Sequence, residues 1–193
     1  MNLPWYKDNE MINSKRRMLR EWTLKQIQIK QERKKIIKSK SCRVWYYGLR
    51  ETTEKHFVTI YFKALDFKGT GRKHLCRIVL NDYPDYLVKY SNLKQEDILR
   101  KALIDGNVRL HCTCESFQYE GYNYISTVKD YGLRKELRFP KIKNPELKGS
   151  LCKHLSSVCV KAPLFLKSIA LDLQKKNYKQ AVRVKTGNKI YLI

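Results

Sequence analysis

The stretch VRLHCTC at residues 108–114 decides how this chain folds, because it places two thiols at alternate positions of a predicted strand. Strand side chains alternate between faces, so Cys112 and Cys114 are expected to project side by side, on the same face as Val108 and Leu110. In a protein that carries no secretory signal, two cysteines this close together indicate metal binding more often than a disulfide. The sequence therefore predicts half of a metal site at the end of this strand.

The other half of the predicted site is Cys152-Lys-His154, which is separated from Cys114 by 37 residues. Residues two apart diverge by about 200° in a regular helix, so this pair must lie in the turn that begins the next helix. Backbone N–H groups at a helix start and the adjacent Lys153 favour the thiolate form of cysteine. Three sulfurs and one imidazole form a closed tetrahedral ligand set for structural Zn²⁺. The predicted ligands are Cys112, Cys114, Cys152 and His154.

The order Cys-x-Cys, spacer, Cys-x-His resembles the SWIM-type zinc finger, with a spacer longer than is usual. That resemblance implies a small ββα unit holding structural zinc, in a family linked to DNA binding and protein contacts. A wider set of residues around these ligands resembles long-spacer versions of this finger in proteins of tailed bacteriophages, some of which are carried in the virion. The further residues of that set are Phe117, Tyr119, Pro140, Ile142, Asn144, Pro145, Gly149 and Leu155.

The remaining cysteines and histidines leave two interpretations open. His74 and Cys76 on one predicted strand, with Cys42 and His56 on neighbouring strands, could make a second metal site. Free cysteine is also among the most commonly buried residue types, so the same thiols fit an apolar core. Cys159 lies too far along its predicted helix to join the first site and is expected in the core.

Short runs of β-branched and aromatic residues predict a meander of strands at 43–49, 56–65 and 74–80. Two further strands are predicted around the Thr-Gly-Asn turn at 186–188. Together with the helices described next, these strands predict an α+β fold.

Helical periodicity is clearest in two places. Asn92 and Gln95 form a capping-box-like start to a helix that Gly106 ends. Apolar residues from Leu155 to Leu173 recur at helical spacing, and Pro163 is expected to kink this helix or to begin a second one.

Composition divides the chain into four predicted segments. The first 40 residues carry twelve Lys or Arg and four Asp or Glu, and a long helix is predicted between Asn13 and Lys40, where no Gly or Pro occurs. The segments are a basic N-terminal helical arm at 1–40, an α+β region at 41–107, a zinc module with a long insertion at 108–175 and a basic C-terminal hairpin at 176–193.

Charge points to a polyanionic partner. The 193 residues include 41 Lys or Arg against 18 Asp or Glu, a formal net charge of +23 that would repel itself without a polyanion or an acidic surface nearby. Lysine outnumbers arginine and contacts phosphates as a point charge. We therefore expect the partner to be nucleic acid, namely DNA, and the binding to be largely non-specific and sensitive to salt. The predicted contact residues are Lys15, Arg16, Arg17, Arg20, Lys34, Lys35, Lys141, Lys143 and Lys148.

Enzymatic chemistry finds little support in the sequence. No paired-carboxylate motif and no activated nucleophile stands out, and four good ligands leave a metal ion no open position for catalysis. His111, on the face opposite the two thiols, is expected to be exposed or to stack on a ring. We therefore predict a protein that is not an enzyme.

Two functions follow as expectations. The first is a structural protein of a large assembly, a bacteriophage virion component close to packaged DNA or to acidic neighbouring subunits. The alternative is a free, zinc-dependent DNA-binding protein. No run of about 20 apolar residues is present, so membrane insertion is not expected, and the predicted location is the virion or the host cytoplasm.

Overall fold

The computed structural model describes residue 27 and residues 42–52, 57–66, 71–175, 184–186 and 189–191. The described strands are β1 (Cys42–Thr52), β2 (Phe57–Asp66), β3 (Lys73–Leu80), β4 (Val108–Cys112), β5 (Val184–Thr186) and β6 (Lys189–Tyr191). The described helices are α1 (Tyr83–Lys89), α2 (Gln95–Ile104), α3 (Glu115–Tyr119), α4 (Tyr122–Val128), α5 (Lys153–Lys161) and α6 (Leu166–Lys175), with a 3₁₀ segment at Ala162–Phe165 between the last two.

Strands β1 to β4 form one antiparallel sheet in that order. The runs of β-branched and aromatic residues fall in β1, β2 and β3, so the predicted meander is confirmed. The chain then passes through α1 and α2 before β4 pairs with β3. The predicted C-terminal strands are present as β5 and β6, with Thr186 opposite Lys189. The α+β class is therefore confirmed.

Helices α5 and α6 cover one face of the sheet, and the apolar core lies between these helices and the sheet. Phe62 in β2 is fully buried, and its ring meets those of Tyr46 and Phe165 edge-on at centroid distances of 6.2 and 5.9 Å. Buried residues on both sides of position 107 belong to this core, and Ile78 pairs directly with Leu110. The four-stranded sheet and its core thus continue across position 107, where composition predicts a boundary.

Helix α2 begins later than its sequence predicts. The residue before its first turn is Lys94, which makes no capping hydrogen bond through its side chain, whereas Asn92 lies in the turn before it. That turn is closed by the N–H of Leu93, which donates to the carbonyl of Tyr90 at 2.9 Å. The prediction of a cap at Asn92 is therefore wrong, while the buried face is as predicted. Its buried residues include Leu99, Ala102 and Leu103.

The C-terminal helical stripe is confirmed, and the chain changes to a 3₁₀ turn at Pro163, where a kink or a new helix is predicted. By length and composition, the stretch Lys153–Lys175 could cross a membrane, with a mean hydropathy of 1.2 over its most apolar window. More than half of that window is buried inside the protein, which fits a core helix. The buried residues of the stripe are Leu155, Val158, Ala162, Ile169 and Leu173.

The long connection between β4 and α5 is tied to the edge of the sheet. Tyr131 is fully buried, and its hydroxyl donates to the carbonyl of Ser150 at 2.7 Å. Gly132 forms a bridge with Leu110, whose N–H donates to the carbonyl of Tyr131 at 2.8 Å. These contacts cover part of the free edge of β4, which would otherwise expose unpaired backbone groups.

The predicted N-terminal helix lies outside the described residues except at Ile27. Ile27 is helical and fully buried, and its carbonyl accepts a hydrogen bond from the Ser150 hydroxyl at 2.8 Å. The predicted stripe around Trp22 and Ile29 falls on residues that the structure does not describe.

Gly121 offers a test of how tightly the connection is packed. Gly121 and Gly71 both have a positive φ, of +87° and +66°, so alanine is strained at either position. A Cβ at Gly121 would lie 2.7 Å from Cγ of Pro140, whereas a Cβ at Gly71 would have nothing within 4 Å. We expect Gly121→Ala to lower the free energy of unfolding by about 1–3 kcal/mol more than Gly71→Ala, measured by urea denaturation. Equal losses would show that Pro140 does not pack against Gly121.

Candidate metal centre

Four side chains from separate parts of the sequence meet in the interior. Each residue offers one ligand atom, a cysteine Sγ or a histidine nitrogen, and these atoms all lie within 4.8 Å of one another. All four residues are buried, with exposed fractions of 0–3%. The structure thus brings together the four predicted ligands, which are Cys112, Cys114, Cys152 and His154.

Two element boundaries place the four ligand side chains. Cys112 is the last residue of β4, and Cys114 is the residue that caps the N-terminus of α3. Cys152 holds the same position before α5, and His154 lies in the first turn of that helix, as predicted. The prediction that the strand continues to Cys114 is wrong, because the backbone turns into α3 there.

Thr113 fixes the segment between the first two cysteines to the neighbouring strand. Its N–H donates to the carbonyl of Leu75 at 3.0 Å, and its Oγ1 accepts from the Leu75 N–H at the same distance. Both the backbone and the side chain of Thr113 are therefore bonded to Leu75 of β3, which fixes the backbone between Cys112 and Cys114. This anchoring sets the direction of both thiols before any ion binds.

Backbone N–H groups point at two of the sulfurs. Cys114 Sγ accepts from the N–H of Phe117 at 3.3 Å, and Cys112 Sγ accepts from the N–H of Cys114 at 3.4 Å. Cys152 stands at the N-terminus of α5, where the helix dipole favours negative charge. These N–H donors and the helix N-terminus stabilise negative charge at the sulfurs and oppose the effect of burial.

Charge at the three sulfurs is unevenly shared. Hydrogen bonds from the thiols of Cys112 and then Cys152 hold the pKa of Cys114 far below its usual range. Burial raises the pKa of Cys112 and that of Cys152 well above theirs. Without a metal ion, the protein groups therefore favour a thiolate at Cys114 and thiols at Cys112 and Cys152. A bound cation would be needed to make all three thiolates stable here.

His154 gives an independent sign that the cluster is a ligand set. Both ring nitrogens are buried, and neither has a hydrogen-bond partner. A buried polar atom without a partner is costly, and coordination of one nitrogen to a metal ion would remove that cost. The residues present therefore fit a metal ion.

Cys76 and His74 adjoin the cluster. Cys76 is opposite Cys112 in the β3–β4 pair, and its thiol donates to Cys112 Sγ at an S–S distance of 3.6 Å. The His74 ring lies against that of His154, with centroids 4.4 Å apart. One interpretation of the sequence placed these two residues in a second metal site. They lie beside the first site because of the register of β3 against β4.

The described residues contain no other group of three or more ligands that could hold an ion. The carbonyl of Cys42 accepts from Lys161 Nζ at 2.6 Å, and His56 lies outside the described residues. Cys159 is buried in the core, as predicted. The second metal site suggested by the sequence thus finds no support in this part of the chain.

His111 is buried, so the expectation that it is exposed is wrong, while the alternative of a ring contact is right. Its ring meets that of Phe117 edge-on at 5.5 Å. Burial, together with the smaller effects of the nearby Arg77 and Arg134, lowers the pKa of His111 to about 4. His111 is therefore neutral near pH 7 and adds no charge to the region.

Of the predicted nucleic-acid contacts, Lys141, Lys143 and Lys148 lie exposed on the connection. Lys148 forms an ion pair with Glu146. Lys153 is half-buried in the first turn of α5, next to Cys152. The other predicted contacts lie outside the described residues and are Lys15, Arg16, Arg17, Arg20, Lys34 and Lys35.

Comparisons with protein-family models, curated proteins and solved structures gave no match for this chain. The resemblance to SWIM-type zinc fingers therefore stays an interpretation of the ligand residues, their order and the residues around them. The case for a metal centre depends on its geometry and on the chemistry of its side chains.

Replacing one ligand tests the centre directly. We expect Cys152→Ala to reduce bound metal from about one ion per chain to a small fraction, because three ligands bind far more weakly than four. Cys159→Ala is the matched control, since Cys159 is an equally buried thiol outside the ligand group. Elemental analysis of the purified variants measures the difference. A full equivalent of metal in Cys152→Ala would show that Cys152 is not a ligand.

Proposed function

We propose that this chain is a non-enzymatic protein in which one structural zinc ion holds a basic fold that binds nucleic acid through its phosphates. The observation that carries the first part is the buried group of three cysteines and one histidine. The net charge of +23 supports the second part.

Zinc is the ion that this ligand set favours. Thiolates are soft ligands that select zinc, cuprous copper or iron–sulfur clusters, and imidazole suits zinc well. Three thiolates with one imidazole is among the common structural zinc sets. Calcium and magnesium prefer oxygen ligands, and this group contains none.

A structural role follows from the closure of the site. Catalytic zinc generally keeps a position for water or substrate and uses three protein ligands. Here four ligands are available, and their side chains are almost fully shielded from solvent. Shielding of this kind favours stability and leaves a substrate no route to the ion.

Zinc would join three element ends that are distant in sequence. The ligands stand at the end of β4, before α3 and at the start of α5, so one ion would fix both ends of the connection at 113–151. In small metal-bound modules the free energy of metal binding contributes directly to folding. The connection carries exposed lysines, so the ion would also position the basic surface.

Removing zinc provides the corresponding test. We expect a chelator to lower the free energy of unfolding by about 5 kcal/mol or more, equivalent to a fall of about 10–20 °C in the thermal midpoint for a chain of this size. Circular dichroism melts with and without chelator measure the shift, and added zinc should restore the original midpoint. An unchanged midpoint after verified loss of the metal would contradict a structural role.

The surface of the connection supports binding to phosphates. Residues 129–153 contain eight Lys or Arg against three Asp or Glu, and Lys141 and Lys143 are exposed there. Lysine ammonium groups contact phosphates without selecting a base. Binding is therefore proposed to be strongest at low salt and largely independent of sequence.

Salt titration tests this part of the proposal. We expect the logarithm of the association constant for duplex DNA to fall linearly with the logarithm of salt concentration. The double variant Lys141→Gln/Lys143→Gln should make that slope shallower by about two, if each lysine contacts one phosphate. Fluorescence anisotropy with two duplexes of different sequence provides the measurement. Absence of binding even at low salt would remove nucleic acid from the proposed function.

A role inside a large assembly is the second candidate. It is favoured by three exposed apolar side chains, Val160 in α5, Leu164 in the 3₁₀ segment and Leu171 in α6, which are 61%, 79% and 47% exposed. Exposed apolar side chains of this kind suit packing against a neighbouring subunit. The resemblance to long-spacer fingers in tailed bacteriophages suggests a virion near its packaged DNA as the setting.

A further inference from the structure

The sheet has a second face, directed away from α5 and α6, and that face is aromatic and basic. Alternation along β2 shows the two sides: Phe62 and Ala64 are fully buried, while Tyr61 and Lys63 are only half-buried. On β1, Tyr47 is 61% exposed. We call this side the outer face and define it by Trp45, Tyr47, Arg50, Tyr61, Lys63, Leu75 and Arg77.

The strand register places rings beside cations across this face. Tyr61 is directly opposite Arg77, and Trp45 is opposite Lys63. The Lys63 ammonium lies 3.6 Å from the centroid of the Tyr47 ring, and the Arg77 guanidinium lies 5.7 Å from that of Tyr61. Cations and π faces thus alternate over two neighbouring strand pairs.

A β-bulge opens a groove that is lined by residues of the outer face and also by Leu49 and by Asp172 of α6. The register of β1 against β2 shifts between Tyr46 and Gly48, where Gly48 has a φ of +142°. The groove beside this bulge has a volume of about 570 Å³, and Tyr47, Tyr61 and Arg77 are among its lining residues.

The cations of the outer face form no ion pair with a carboxylate that the structure describes. Nε of Arg77 is buried and has no hydrogen-bond partner, and neither Arg50 nor Lys63 forms an ion pair with a described carboxylate. Among the lining residues the one carboxylate is Asp172, which accepts a hydrogen bond from the Tyr46 hydroxyl at 2.8 Å. The surface is therefore complementary to a partner with negative charge.

The aromatic rings of the outer face indicate which kind of negatively charged partner fits this surface. Unpaired bases stack on exposed tyrosine and tryptophan, and a basic groove beside the rings follows the phosphates. In a duplex the base faces are covered by neighbouring base pairs, so only a single strand can use the rings. An acidic protein segment would pair with the cations but has no planar bases to stack on the exposed ring of Tyr47.

We propose that the outer face binds single-stranded nucleic acid, with bases stacked on Tyr47 and Tyr61 and phosphates held by Arg50, Lys63 and Arg77. The inference rests on the proposed function and deepens it, because it names the form of nucleic acid and the surface that binds it. The same chemistry serves DNA and RNA strands.

The test compares labelled strands of about 15 nucleotides, one of deoxyuridine and one of uridine, with a duplex of the same length, at low salt. We expect Tyr47→Ala and Tyr61→Ala each to weaken binding of the strands about tenfold, while binding of the duplex changes less than about twofold. Tyr47→Phe should retain tight binding, since it keeps the ring. The ratio between the two strand affinities shows whether the 2′-hydroxyl is used.

Tyr119 provides the matched control. It is 62% exposed, almost the same as Tyr47, but lies on α3 and away from the sheet. Tyr119→Ala should leave every affinity unchanged. If Tyr119→Ala weakened strand binding and Tyr47→Ala did not, stacking would belong to the connection and the inference would be overturned.

Further outcomes separate this inference from the function on which it rests. Binding of strands and duplex alike, with no effect of Tyr47→Ala or Tyr61→Ala, would overturn the outer face as a site and leave general phosphate binding intact. Competition by polyglutamate as strong as by an unlabelled strand would also overturn it, because the surface would then bind any polyanion. If neither strand nor duplex bound at low salt, the proposed nucleic-acid function itself would fail.

Discussion

Charge compensation at three buried sulfurs is the constraint on which the rest of the structure depends. Burial makes a thiolate costly, yet backbone N–H groups and two helix N-termini are directed at these sulfurs. A bound metal ion would reconcile the two tendencies, and the unpartnered imidazole of His154 would complete a ligand set of four. The ends of β4 and α5 can then meet although 37 residues separate Cys114 from Cys152.

Strand β3 links this interior to the outer surface. Cys76 faces inwards and donates to a ligand sulfur, and the next residue, Arg77, faces outwards beside Tyr61. Leu75, on the other side of Cys76, holds Thr113 between two ligands through its backbone. Alternation along one strand thus places the proposed zinc centre and the proposed nucleic-acid surface on opposite faces of β3.

Local sequence patterns were enough to predict part of this arrangement. The first three strands and the C-terminal helices have strong periodicity of their own, and the four ligands could be found because spacing alone restricts where thiols can lie. The start of α2 was misplaced because Asn92 is taken up by a turn that also involves Tyr90. Local propensity does not determine which of two adjacent turns begins a helix.

Features that depend on strand order could not be predicted from the sequence. The position of Cys76 beside Cys112, the burial of His111 and the pairing of Tyr61 with Arg77 all require the register of β2, β3 and β4. Each of these residues looks ordinary in its own segment. Their chemistry arises from neighbours that are 16 to 36 residues away in sequence.

X-ray absorption at the zinc edge of the intact protein tests the central claim most directly, because it counts the atoms bound to the metal. The structure predicts three sulfurs at about 2.3 Å and one nitrogen at about 2.0–2.1 Å, with no bound water. A first shell made mainly of oxygen and nitrogen would contradict a centre built from these cysteines. A shell of four sulfurs would show that Cys76 replaces His154 as a ligand.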